Sequence, residues 1–171
     1  GLHGYMPNAG YKETRAAMAA KVSKEQGVPV DFSHIVMGVG AAGAMTSALK
    51  ALLSPGDEVL VPAPYFPEYA HYVRNHGGVL VPVATKEDFS LDTAAIAAAI
   101  TEKTAAIIIN SPNNPTGKIY TASDIASLAS VISFKFYSRE RPTETMRYLL
   151  AFTFWNAVFL ASLLVFNAIV Y

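Results

Sequence analysis

From Ile35 to Asn110, short apolar runs alternate with longer stretches of helical composition, and this alternation restricts the available folds more than any other feature. The runs are Ile35–Val39, Glu58–Pro62 (EVLVP), Val79–Val83 (VLVPV) and Ala105–Asn110 (AAIIIN). They are apolar nearly throughout rather than alternating with polar residues, so they read as strands buried on both faces. Helices are predicted at Tyr11–Gln26, stopped by Gly27 and Pro29, and at Ala41–Leu53, stopped by Ser54-Pro55-Gly56-Asp57. Two more are predicted at Phe66–Asn75, closed by Gly77-Gly78, and at Leu91–Ile100. Thr121 with Asp124 three residues on marks a further helix start, leading into Ile125–Ala129. Pro82 inside the third run places that strand at a sheet edge or makes it end there. Buried strands separated by helices predict an α/β fold in three layers, a mostly parallel sheet with helices on both faces. Ligands of such sheets bind beyond the carboxyl ends of the strands. The loops after Val39, Pro62, Val83 and Asn110 are therefore the ones to inspect.

Composition excludes several function classes. Apolar residues make up 52% and charged residues 15%, against about 45–50% and about 25% in ordinary soluble domains, which rules out disorder. Thirteen basic residues balance thirteen acidic ones, so no net field draws the chain to nucleic acid. Without cysteine there is no disulfide, thiol nucleophile or cysteine-ligated metal. The four histidines are scattered; His71 and His76 lie five apart, off the spacings that share a helix face, and no metal site is expected.

Two of the strand-end loops carry chemistry. Gly38-Val39-Gly40-Ala41-Ala42-Gly43 opens a helix, where glycine lets backbone approach a ligand and free N–H groups hold a phosphate. Its letters also fit a dinucleotide fingerprint, but that requires an acidic residue at the end of the next strand. Here the next strand ends in Pro62-Ala63-Pro64, and Asp57 and Glu58 stand at its other end. Glycine serving only close helix–strand packing is the competing reading of the motif. The second loop is Asn110-Ser111-Pro112-Asn113-Asn114-Pro115-Thr116-Gly117, whose asparagines offer both donors and acceptors. A rigid turn is its alternative.

The order Tyr5-Met6-Pro7-Asn8-Ala9-Gly10, Gly40-Ala41-Ala42, SPGDEVLVPAPYFPEY at 54–69 and NNPTG at 113–117 resembles the class I/II aminotransferases of fold type I. The resemblance covers about residues 1–130 and implies an incomplete aminotransferase large domain using pyridoxal 5'-phosphate (PLP). It implies transfer of an amino group between an amino acid and a 2-oxo acid. By the same resemblance, Gly40, Ala41 and Ala42 form the phosphate cup, Phe66 stacks on the cofactor ring and Asn114 hydrogen-bonds the ring's phenolic oxygen. Tyr5 matches a tyrosine that reaches the phosphate of a neighbouring subunit, which implies a homodimer.

PLP chemistry also needs a Schiff-base lysine, a carboxylate facing the ring nitrogen and an arginine for the substrate carboxylate. In the resembling family all three lie beyond the position that Ala129 matches, so no catalytic residue is expected here and the chain alone is expected to be inactive. Lys118 is the nearest lysine to the proposed site and otherwise a solvated surface residue. Ser47-Ala48-Leu49-Lys50 fits an S-x-x-K pattern but lies mid-helix with no K-T-G after it. The family's sheet has seven strands, the first pairing with the last, so Ile35–Val39 is expected to lack its neighbour. Beginning at Gly1, the chain reads as an excerpt of a longer enzyme.

Composition changes after about position 130. Residues 131–147 read as a linker, and 148–171 contain no Lys, Arg, His, Asp or Glu. As a helix those 24 residues would extend roughly 36 Å at about 1.5 Å per residue, enough for an apolar bilayer core of about 30 Å. The run is expected to form a long apolar helix, a membrane span, with a buried core helix as the alternative. Lys135, Arg139, Arg141 and Arg147 precede it and place residues 1–130 on the cytoplasmic side. Three readings of the whole chain follow. They are a transaminase portion, a membrane-tethered non-catalytic remnant or interaction module, and a truncated gene product whose tail is an artefact in an otherwise cytoplasmic protein.

Overall fold

The computed structural model describes residues 4–137, 150–151 and 164–165. In chain order the elements are α1 (Lys12–Gln26), a 3-10 turn (Phe32–His34), α2 (Gly40–Leu52), β1 (Glu58–Ala63), α3 (Glu68–Arg74) and β2 (Val79–Ala84). Then come α4 (Thr93–Ala99), β3 (Thr104–Ile107), α5 (Ala122–Tyr137), β4 (Leu150–Ala151) and β5 (Leu164–Val165).

The main sheet has the order β2-β1-β3, with both pairings parallel. Glu58 pairs with Val79 and Ala63 with Ala84, while Val59 and Leu60 pair with Ala106 and Ile107. Beyond β3 the ladder gains one more bond, Ile108 N–H to the Leu60 carbonyl at 2.9 Å. As Pro82 requires, β2 lies at an edge.

Side chains of a strand point alternately to its two faces, and here each face has its own core. Val59, Val61, Ala106 and Ile108 pack with Met45, Ala48 and Leu49 of α2 and with Tyr69 and Val73 of α3. Leu60, Ile107 and Ile109 pack on the other side with Ile96 of α4 and Leu128 and Ile132 of α5. This is the expected three-layer arrangement with helices on both faces. The turn before β1 is closed by Asp57, whose Oδ2 accepts from the Ser54 N–H at 2.8 Å. At the start of α5, Thr121 and Asp124 cap each other, through Thr121 N–H to Asp124 Oδ2 at 2.7 Å and Asp124 N–H to Thr121 Oγ1 at 3.2 Å.

Two expectations need correction. Ile35–Val39 is not a strand: the segment follows the 3-10 turn and runs directly into α2. Ile35 is extended at φ −109°, ψ 125°, but its N–H closes the 3-10 turn on the Phe32 carbonyl at 3.3 Å, and Met37 N–H bonds to the Ala9 carbonyl at 3.0 Å, which lies in no strand. Extended backbone becomes a strand only with a ladder, and among the described residues no neighbouring strand supplies one. The second correction concerns the apolar run at 148–171. Its described residues, Leu150–Ala151 and Leu164–Val165, form an antiparallel pair rather than helical turns. An apolar run fits a buried strand as readily as a helix, because it carries no periodicity to separate them. The rest of that run lies outside the described residues. Among the described residues no helix is long and apolar enough to cross a membrane.

Leu49 is 0% exposed and joins α2 to the sheet. Leu49→Ala is expected to destabilise the chain by about 2–5 kcal/mol, measured as the shift in urea unfolding; a loss under about 1 kcal/mol would show that α2 is not part of this core.

Candidate functional site

The chain leaves β1 for α3 on one face of the sheet and leaves β3 for α5 on the other. Where neighbouring strands send their connections to opposite faces, a crevice opens at their carboxyl ends. A cleft of about 270 Å³ lies there, lined by Ala41, Ala42, Met45, Phe66, Tyr69, Tyr72, Asn110, Pro112 and Asn114.

The wall formed by α2 depends on two glycines. At Gly38 an added Cβ would stand 3.0 Å from both Cα and N of Ala44, so a side chain there would force the backbone of α2 to give by a few tenths of an ångström. Gly40 has φ +65°, a left-handed conformation that turns the chain into the helix, with open space around it. Close packing thus accounts for the glycine at position 38, and backbone conformation for the one at position 40. The first bond closing the helix runs from Gly43 N–H to the Val39 carbonyl at 3.3 Å. The N–H groups of Gly40, Ala41 and Ala42 precede it and have no carbonyl one turn back. Ala41 and Ala42 line the cleft, and Gly40 lies just before them.

Phe66 follows β1 and meets Tyr69 edge to face, with ring centroids 5.7 Å apart and planes at 78°. Burial, with a smaller contribution from Tyr72, pushes the Tyr69 phenol up to about 12. The Tyr72 hydroxyl donates to the Glu68 carboxylate one turn back, which raises its pKa to about 12 as well. Both rings present neutral phenols near pH 7.

The NNPTG loop divides work between its asparagines. Asn113 is buried; its Nδ2 donates to the Pro64 carbonyl and to Thr116 Oγ1, both at 3.0 Å. Its main chain closes the loop through Asn113 N–H to the Lys118 carbonyl at 2.8 Å and Gly117 N–H to the Asn113 carbonyl at 2.7 Å. That residue ties the loop after β3 to the loop after β1. Asn114 is exposed at the cleft. Asn110 is 8% exposed, and its Oδ1 is buried without a hydrogen-bond partner among the described residues. Such an atom costs about 1–3 kcal/mol when nothing donates to it.

Four of the sequence-predicted residues, Ala41, Ala42, Phe66 and Asn114, thus line one cleft. Tyr5 does not; it is fully exposed, away from the cleft lining. Asn110, Tyr69 and Tyr72 line it without having been singled out. Asn110 had a signal, a polar residue ending the apolar run AAIII, whereas the tyrosines had only their spacing of three and six after Phe66. Lys118 lies outside the lining, with its Nζ 2.8 Å from Asp88 Oδ2. Ser47 sits exposed in the middle of α2.

Residues 1–135 match the family model of aminotransferase class I and II. The chain belongs to this family. It is 40% identical over 136 residues to the aspartate/prephenate aminotransferase of Thermus thermophilus, covering 78% of this chain and 35% of that one. A bifunctional aspartate aminotransferase and glutamate/aspartate-prephenate aminotransferase of Petunia hybrida is 37% identical over 131 residues, with 75% and 27% covered. Among solved structures, Thermus thermophilus aspartate aminotransferase with maleate superposes with a TM-score of 0.76 at 37% identity, over 86% of this chain and 37% of that chain. The chain spans about a third of the length of the curated relatives it matches. Class I and II aminotransferases are PLP-dependent. The cleft fits that group in kind, with free N–H groups for a phosphate, aromatic rings, and a buried amide oxygen without a hydrogen-bond partner among the described residues.

Two predictions follow from this loop framework. Asn113→Ala removes the bond that ties this loop to Pro64 and the one within it to Thr116, and is expected to destabilise by about 1–3 kcal/mol in urea unfolding; no loss would mean that the loops hold together without it. The second concerns Asp88, whose carboxyl is held well below its ordinary 3.8 by the hydrogen bond from Lys118, then by Ser90. A lowered folded pKa contributes stability that is fully present above the ordinary value and lost as pH falls through the folded one. Asp88→Asn is therefore expected to lower the thermal midpoint above about pH 4 and to converge with the parent in stronger acid. Parallel curves down to pH 2 would exclude the ion pair as the cause.

Proposed function

We propose that this chain forms the cofactor-holding part of a PLP-dependent transaminase that exchanges an amino group between an amino acid and a 2-oxo acid. One observation carries the reading, the convergence of Ala41–Ala42 from the start of α2 with Phe66 and Asn114 from two separate loops on one cleft at the strand ends. Family membership supplies the reaction class. Relatives named for aspartate make an acidic amino acid the first donor to test.

Bound PLP supplies an electron-withdrawing ring that stabilises negative charge on the carbon exchanging its proton. This chain's residues bind and orient it. The N–H groups of Gly40, Ala41 and Ala42 face the phosphate, with about 0.3–1 kcal/mol added by the helix dipole. Phe66 lies against the ring and is held at its angle by Tyr69. Asn114 donates to the phenolic oxygen, and Asn113 fixes the loop from which it does so. Tyr5, fully exposed, is assigned to the phosphate of a second subunit, which makes the active assembly a homodimer. By the resemblance, the Schiff-base lysine, the ring-nitrogen carboxylate and the substrate-binding arginine lie beyond the position that Ala129 matches, which supports a reading in which residues 1–171 bind cofactor without transaminating on their own.

Equilibrium dialysis of the 171-residue chain tests this reading. PLP is expected to bind, and Ala42→Asp, which brings a carboxylate to the helix start, is expected to weaken PLP at least tenfold while leaving phosphate-free pyridoxal unchanged. Failure of the parent chain to bind PLP overturns the reading, and equal weakening of both ligands overturns the phosphate assignment.

A further inference from the structure

The two outer edges of the main sheet are buried very differently. β2 forms one of them and stays open, with Val79, Pro82 and Ala84 exposed. β3 forms the other, yet every residue from Thr104 to Asn110 is buried, Ile107 at 3% and Ile109 at 2% exposure. An edge strand ordinarily presents a row of backbone N–H and C=O groups to water. We infer that the outer edge of β3 is a docking surface for an extended apolar segment, and that its occupant is this chain's own C-terminal pair, Leu150–Ala151 with Leu164–Val165.

Elimination places the pair there. Cα atoms of β4 come within 8 Å of those of β3, nearer than the about 10 Å at which a second sheet packs on a face. Both faces of β3 are already taken. Ala106 and Ile108 lie in the core with α2 and α3, and Ile107 and Ile109 in the core with α4 and α5. One edge belongs to β1, so the other is the place left for β4. Within the described residues β4 and β5 keep a ladder of their own, so the pair lies on the edge as a cover rather than as a fourth strand of the sheet. Composition suits that position, since residues 148–171 contain no Lys, Arg, His, Asp or Glu whose burial beside alanine and isoleucine would be opposed. An edge covered in this way is closed to a strand from another molecule. The same residues cannot at once cover β3 and span a bilayer. This inference is independent of the cofactor reading.

Isotope-edited NMR of the full chain tests it. NOEs from Leu150 or Ala151 to residues of β3 are expected within one molecule. Their absence overturns the inference. NOEs that arise only between labelled and unlabelled molecules also overturn it, by making a second copy the occupant. Hydrogen exchange then reads the cover itself. Ile108 N–H bonds to the Leu60 carbonyl of β1, and successive N–H groups of a strand point to opposite edges, so those of Ile107 and Ile109 face outward. In the double variant Leu150→Asp, Leu164→Asp, carboxylates oppose burial of the pair. The amides of Ile107 and Ile109 are expected to exchange at least tenfold faster than in the parent, while that of Ile108 stays within threefold. Parent-like exchange at all three overturns the inference. Equal acceleration at all three shows that the variant has loosened the whole sheet, and the NOEs of the parent chain then decide, their presence supporting the cover and their absence overturning it. Failure on either count leaves the proposed cofactor site standing.

Discussion

A strand that is apolar on both faces has to be covered on both faces, and β1 imposes that requirement on the rest of the chain. Val59 and Val61 demand one helical layer and Leu60 the opposite one. The layers come from connections that leave neighbouring strands toward different sides, which makes the carboxyl ends of β1 and β3 the place where the backbone diverges. The cleft is thus a consequence of how the sheet is buried. Its chemistry was added through the residues that end each run, the proline-rich turn before Phe66 and the asparagines after Ile109.

Legibility in the sequence followed the strength of the local signal. The strands at 58–63 and 79–84 and the helix at 40–52 were readable because runs of uniform character met turn residues at both ends, notably Ser54-Pro55-Gly56-Asp57. Ile35–Val39 carried an equally good local signal and formed no strand, because a ladder depends on a neighbour that local composition does not encode. At Leu150–Ala151 and Leu164–Val165 the difficulty was the reverse, since absence of charge measures burial without specifying the backbone that achieves it.

Within the site, the motif letters located the loops but could not divide labour inside them. NNPTG contains two adjacent asparagines of identical chemistry, and only the fold shows that Asn113 points inward to Pro64 and Thr116 while Asn114 stays exposed. The glycines of the 38–43 loop separate in the same way. Gly38 is required by the nearness of Ala44, and Gly40 by its left-handed φ. Spacing cannot distinguish these demands, because both are satisfied by the same absent side chain.

The α2 start and the asparagine loop also differ in how they would hold a ligand. Backbone N–H groups at a helix start are aimed by the helix itself, so the identities of Ala41 and Ala42 matter mainly through what they do not put in the way. Side-chain amides carry no such built-in aim and must be held by their surroundings. Asn113 provides that support for the loop, since its bonds to Pro64 and Thr116 fix where the main chain of Asn114 begins. Asn110 is held differently, by its place at the end of a buried strand between layers already packed around Ile108 and Ile109. Rigidity therefore reaches the cleft from the core on the β3 side and from helix geometry on the α2 side, and a ligand bridging the two meets two preorganised walls rather than two loops it would have to order.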